Sequence, residues 1–208
     1  MISFVYLDVG GVVELDFSNT NKWEELRDDL GVTPEKQAAY QTIWDRCWPT
    51  VCTTYDVEML VPVFKRELGL QLPDDYSLLG DFVRRFESNP SIWPVVNEMK
   101  ALVPVGLLTN MYIGMFAAIQ KASLLPKVVW DVVIDSTVVG YQKPEARIFE
   151  IAEAKADVPS KNILFVDNSA EHIEVAKSLG WQTFLYDSSQ PAKSSRDLLQ
   201  FFQKHRLA

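Results

Sequence analysis

The sequence predicts an α/β fold: a parallel sheet covered by helices on both faces, with a bundle of helices inserted after the first strand. Three observations predict it. From residue 93 onward, short apolar runs alternate with amphipathic helical segments, which is the order of a parallel sheet. A similar apolar run opens the chain. Between the two, residues 15–87 carry helical periodicity alone. The length of 208 residues falls between one and two domains of about 150 residues each. The expected division is therefore a core of residues 1–14 and 88–208 with residues 15–87 inserted into it.

Each element has a local reason. Ile2–Leu7 is apolar and rich in β-branched and aromatic residues, a buried strand that stops at Asp8 and the tight turn at Gly10-Gly11. Asn19 or Thr20 caps a first helix with Trp23, Leu26 and Leu30 on one face, ended by Gly31. Thr33-Pro34 opens a second, carrying Tyr40, Ile43, Trp44 and Cys47. Asp56 starts a third with Leu60, Phe64 and Leu68. Asp74 or Asp75 starts a fourth with Leu78, Leu79, Phe82 and Phe86. Helix Trp93–Leu102 then leads to strand Val105–Leu108, helix Met115–Leu124, strand Trp130–Ile134 and helix Pro144–Ala156. Strand Ile163–Val166, helix Ala170–Leu179, strand Thr183–Tyr186 and helix Ser195–His205 complete the chain.

Composition narrows the function. Hydrophobic residues make up 48% and charged residues 23%, values of a globular chain. The formal charge is −8, so neither nucleic acid nor a membrane surface is an expected partner; a local pocket for a small anion stays open. Cys47 and Cys52 have no His or Cys partner at metal-binding spacing and read as reduced thiols. The apolar N-terminus lacks a basic leader and contains Asp8, so it reads as a strand, and a cytoplasmic location is the expectation. Oligomeric state is not legible.

In an open parallel sheet, ligands bind beyond the carboxyl ends of the strands. Asp8, Thr109-Asn110 and Asp167-Asn168 each follow an apolar run, and Lys143 precedes a helix. A carboxylate in a glycine-rich turn can attack an electrophile covalently. Thr109 and nearby amides can hold oxyanion oxygens, and Lys143 can balance charge.

These stretches, FVYLDVGGVV, GLLTN, YQKPEARIFE and ILFVDNSAEHIEVAKSLGW, resemble in order the four motifs of the haloacid dehalogenase-like hydrolase superfamily, and the inserted bundle resembles its helical cap. The resemblance implies a Rossmann-like three-layer core and an aspartate nucleophile, Asp8. It implies that Thr109 and Asn110 bind the transferred group while Lys143 neutralises charge. It also implies magnesium held by Asp8, the Gly10 carbonyl and the Asp167-Asn168 motif. The expected activity is hydrolysis of a small organic phosphate through an aspartyl-phosphate.

Two positions depart from the family's phosphatases. Gly10 stands where a second Asp usually serves as general acid and base, and Asn168 stands where a metal-binding Asp is usual. Weak magnesium affinity is the expectation. Gly10 also resembles the metal-independent 2-haloacid dehalogenases, although Phe149 and His172 differ from that subgroup. A catalytically impaired binding protein is the third reading. Arg46, Trp48 and Tyr55, near the cap segment that faces the site in related proteins, are candidate substrate contacts. Trp23, Trp44, Phe64 and Phe82 read as bundle core, and His172 reads as a surface or packing residue.

Overall fold

The computed structural model describes residues 1–206. In chain order the first half runs β1 (Phe4–Leu7), β2 (Glu14–Leu15), α1 (Lys22–Asp29), α2 (Gln37–Cys47), α3 (Leu60–Leu68), α4 (Leu78–Arg85) and β3 (Glu87–Ser88). The second half runs α5 (Trp93–Lys100), β4 (Val105–Thr109), α6 (Met115–Lys121), β5 (Val133–Asp135), α7 (Ser136–Val139) and α8 (Ala146–Ala156). It ends with β6 (Ile163–Asp167), α9 (Ala170–Ser178), β7 (Gln182–Leu185) and α10 (Pro191–Arg206). Five strands form one parallel sheet in the order β5-β4-β1-β6-β7.

Strands β1, β4 and β6 are buried at every position, as a sheet covered on both faces requires. Alternate residues serve opposite layers. Val5 and Leu7 join the core shared with the inserted helices, α5 and α10, whereas Phe4 and Tyr6 face α8 and α9. Tyr6 is buried, and its hydroxyl donates to the Ala152 carbonyl at 2.7 Å, which ties the central strand to α8.

The insertion keeps its four helices. Trp44, Phe64 and Phe82 are buried, and the Trp23 and Phe82 rings meet edge to face at 5.6 Å. Asp56 accepts from the Glu58 amide and opens the turn leading into α3. The fourth helix starts later than Asp74 or Asp75. Ser77 accepts from the Gly80 amide at 2.8 Å, and Glu58 reaches across from the turn ahead of α3 to accept from the Leu79 amide at 2.9 Å. The Ser77 hydroxyl and the distant Glu58 carboxylate together outweigh the more exposed aspartates.

The other differences have equally specific causes. The strand expected over Trp130–Ile134 forms only from Val133, because the Asp131 carboxylate takes the Val105 amide at 2.7 Å where a ladder carbonyl would pair. Helix α7, capped by Asp135 through the Thr137 amide, hides behind the β-branched run STVV. The ribbon of β2 with β3, antiparallel with Glu14 opposite Ser88, is too short to show a period. It pairs residues that flank the expected boundaries at 14 and 88. Among the described residues, no helix is long and apolar enough to cross a membrane.

Asn89 follows this ribbon and is buried. Its amide donates to the Val12 carbonyl at 2.8 Å and the Tyr186 hydroxyl at 2.9 Å. Asn89→Ala leaves the Val12 carbonyl buried without its donor, so a loss of about 1–3 kcal/mol is expected. Denaturant unfolding measures it, and an unchanged midpoint would refute the assignment.

Candidate active site

Register brings the polar strand ends together. Leu7 lies opposite both Leu107 and Val166, so Asp8, Thr109 and Asp167 reach one edge of the sheet beside the central strand. After Asp8 the chain turns sharply, and the Val9 carbonyl accepts from the amides of Val13 at 2.9 Å and Glu14 at 3.0 Å. Gly11 sits in this turn at φ +75° with the Asn168 amide packed where a Cβ would stand. Glycine is required there for both reasons.

Lys143 is delivered by a side chain clamp. The Asn110 amide donates to the Lys143 carbonyl, and the Lys143 amide donates back to Asn110 Oδ1, both at 2.8 Å. The Lys143 Nζ then lies 2.6 Å from Asp167 Oδ2 and 2.9 Å from Asp8 Oδ1, with the Phe165 ring centroid 5.4 Å away. All three ionic side chains are buried.

The two carboxylates differ because their donors differ. Burial raises Asp8 from the ordinary aspartate value, and Lys143 offsets only part of that. Its Oδ1 accepts from Lys143 and from the Val9 amide at 2.7 Å, leaving Oδ2 as the less occupied oxygen. Burial acts on Asp167 too, yet Lys143 and His172 hold it below the ordinary value. Asp167 Oδ1 accepts from the Ser169 amide at 2.7 Å, and His172 Nδ1 lies 3.0 Å from Oδ2. Lys143 is desolvated as well, but the flanking carboxylates raise it and keep it a cation. Thr109 is fully buried, and its hydroxyl has no partner among the described residues.

Asp8, Thr109, Lys143 and Asp167 therefore converge, with Asn168 against Gly11 beside them. Asn110 acts on the Lys143 backbone rather than presenting both its polar atoms to a ligand. Arg46 pairs with Glu67 at 2.9 Å and Trp48 is 63% exposed. Tyr55 packs against the main core. None of these three lines the cavity beside the strand ends, whose walls include Asp16, Phe17, Ser18, Asn110 and Tyr112.

Two residues near the site escaped the sequence. His172 is one turn into α9, where nothing in the spacing distinguishes it from a packing residue. Asp16 is the other. A Cβ placed on Gly10 would meet Asp16 Oδ2 at 2.6 Å, so the Asp16 carboxylate occupies the space into which a side chain at position 10 would project. Burial raises Asp16 above the ordinary aspartate value. A glycine followed six residues later by an acid carries no sequence signal, because the turn between Val9 and Glu14 creates the proximity.

The donor set was tested for a divalent cation. Asp8, Asp167 and His172 have ligand atoms within 4.8 Å of one another. The Lys143 ammonium already lies against both carboxylates, and three donors engage Asp167. The expected magnesium ligands, Asp8, the Gly10 carbonyl and the Asn168 amide, would offer oxygen atoms. These are hard ligands that fit the ion but bring a single negative charge.

A sequence model of the haloacid dehalogenase-like hydrolases matches residues 77–180, half of the chain. A phosphatase of Mycobacterium tuberculosis is 29% identical over 137 residues, covering 64% of this chain and 62% of that protein. An (S)-2-haloacid dehalogenase of Pseudomonas putida is 28% identical over 118 residues, covering 55% and 51%. The chain thus spans between about half and two thirds of the length of these two relatives. A family enzyme of Bacteroides thetaiotaomicron, solved as an alanine mutant with magnesium and inorganic phosphate, superposes with a TM-score of 0.73 at 16% identity. That alignment covers 90% of this chain and 95% of the other. It establishes a shared fold.

The central ion triad yields a stability prediction. Lys143→Met strands two buried carboxylates, so a loss of about 3–5 kcal/mol is expected from urea unfolding. Adding Asp167→Asn to that variant is expected to restore part of it. A loss below about 1 kcal/mol for the single variant would contradict the triad's role.

Proposed function

The chain belongs to the haloacid dehalogenase-like hydrolase family, and within it we propose that this chain hydrolyses small organic phosphate monoesters through an aspartyl-phosphate on Asp8. The observation that carries the reading is the pairing of Asp8 with a buried Lys143 beside the unpartnered hydroxyl of Thr109. Lys143 and Val9 fix Oδ1, which leaves Oδ2 to form a bond to phosphorus as the bond from phosphorus to the ester oxygen breaks. Thr109 donates to a phosphoryl oxygen, and Lys143 holds the negative charge of nucleophile and phosphoryl group together. Water then attacks the same phosphorus, releasing inorganic phosphate and regenerating the Asp8 carboxylate.

Magnesium, held by Asp8, the Gly10 carbonyl and Asn168, would supply further neutralisation of phosphoryl charge. Its affinity is weak because Asn168 is uncharged. The inserted helices act as a cap that excludes bulk water from the acyl-phosphate. Asp16 supplies the carboxylate that position 10 lacks: its place in front of Gly10 suits proton delivery to the departing alkoxide.

Dehalogenation is the second reading, favoured by Gly10 and by the dehalogenase relative. A 2-haloacid brings its own carboxylate, and beyond Lys143, already engaged by Asp8 and Asp167, the adjoining cavity has no Lys, Arg or His among its described walls to receive it. That supports the phosphatase reading. A role limited to binding is the remaining alternative.

Phosphate release from p-nitrophenyl phosphate with magnesium tests the proposal. Asp8→Asn is expected to abolish turnover. Asp16→Asn is expected to slow alkyl phosphates by roughly 10²–10⁴-fold, with much less effect on p-nitrophenyl phosphate, whose leaving group needs no proton. Halide release from 2-haloacids in the presence of chelator, without phosphatase activity, would establish the second reading instead.

A further inference from the structure

We propose that the leaving alcohol of the substrate is a compact, uncharged apolar group, a single aromatic ring being the best fit. This rests on the phosphatase reading and specifies its substrate class. The cavity next to the strand ends has a volume of about 220 Å³. An apolar cavity of about 150 Å³ holds one benzene molecule, so the space admits one ring with a short linker.

The walls sort by chemistry. Phe17, Trp23, Phe82, Phe86 and Tyr112 supply aromatic surface, and they contact one another tilted or edge to face, with Phe17 to Phe82 at 5.6 Å and Phe82 to Tyr112 at 5.2 Å. The polar members, Asp16, Ser18 and Asn110, belong to segments adjoining Asp8: Asp16 lies against Gly10, Ser18 donates its amide to Asp16 at 2.8 Å, and Asn110 holds Lys143. The phosphoryl end is thus polar, and the end that receives the alcohol is aromatic. A polyol placed there would leave several hydroxyls desolvated without partners, each at a cost.

Charge excludes a second class. No Lys, Arg or His lines the cavity among the described residues. Of the eight basic residues between positions 15 and 87, seven pair with carboxylates: Lys22, Arg27, Arg46, Lys65, Arg66, Arg84 and Arg85. The eighth, Lys36, is half-buried in the turn before α2. The one lysine whose charge acts on Asp16 is Lys22, which is paired with Glu87 at 2.9 Å, so a leaving group with its own carboxylate or second phosphate meets Asp16 with no unpaired cation beside it.

The test compares kcat/KM for benzyl phosphate, glycerol 3-phosphate and 2-phosphoglycolate with magnesium. All three release alkyl alcohols, so differences report binding of the leaving group. Benzyl phosphate is expected to exceed both others by roughly 10²-fold, the scale on which a hydrophobic pocket discriminates. Phe86→Ala is expected to erode that advantage mainly through KM, and Ser18→Lys to raise phosphoglycolate relative to benzyl phosphate. Equal or better turnover of glycerol phosphate or phosphoglycolate by the unaltered protein overturns this proposal while leaving the phosphatase reading intact. No turnover of any phosphate ester, p-nitrophenyl phosphate included, overturns that reading and this proposal with it.

Discussion

A parallel sheet whose polar strand ends fall in register places two carboxylates, Asp8 and Asp167, side by side in a buried site. Neither can stay ionised there alone, since desolvating an unpaired carboxylate costs several kcal/mol. Lys143 resolves the conflict, and much of the surrounding structure exists to deliver it. Asn110 clamps its backbone from the end of β4, Phe165 lies beneath its ammonium, and Ser169 and His172 share the load on Asp167. One cation serving two carboxylates leaves them unequal. Asp167 is tightly held, whereas Asp8 keeps one oxygen less engaged and is harder to ionise than an ordinary aspartate.

The same constraint bears on the metal. An ammonium already supplies positive charge at the carboxylates, and Asn168 removes a negative charge from the set that would hold a divalent ion. Gly10 belongs to the same economy of space. With no side chain at that position, the Asp16 carboxylate comes in from the end of β2 and fills the gap.

The core was legible because its signals are local and strong. Runs such as FVYL and ILFVD are apolar throughout and end at an acid, and β1, β4 and β6 form where those runs lie. Asp8, Thr109, Lys143 and Asp167 were legible because each sits at a strand end or a helix entry, and register converts that sequence position into proximity. Elsewhere long-range contacts decided. Asp131 shortens β5 by capturing the Val105 amide, and Glu58 helps to set the start of α4 from another helix. Arg46 and Trp48 looked suitable by type, but Arg46 is spent on Glu67 and Trp48 faces outward. Asp16 and His172 enter the site through the turn into β2 and a helix turn, which no spacing rule announces.

The account turns on Asp8 as the atom donor to phosphorus. Borohydride reduces an aspartyl-phosphate to homoserine, so quenching the protein with borohydride during steady turnover of a phosphate ester, followed by peptide mass spectrometry, reads the intermediate directly. The account predicts homoserine at position 8, dependent on substrate and absent elsewhere. Continued phosphate release with position 8 unmodified, or reduction at a different carboxylate, would contradict it.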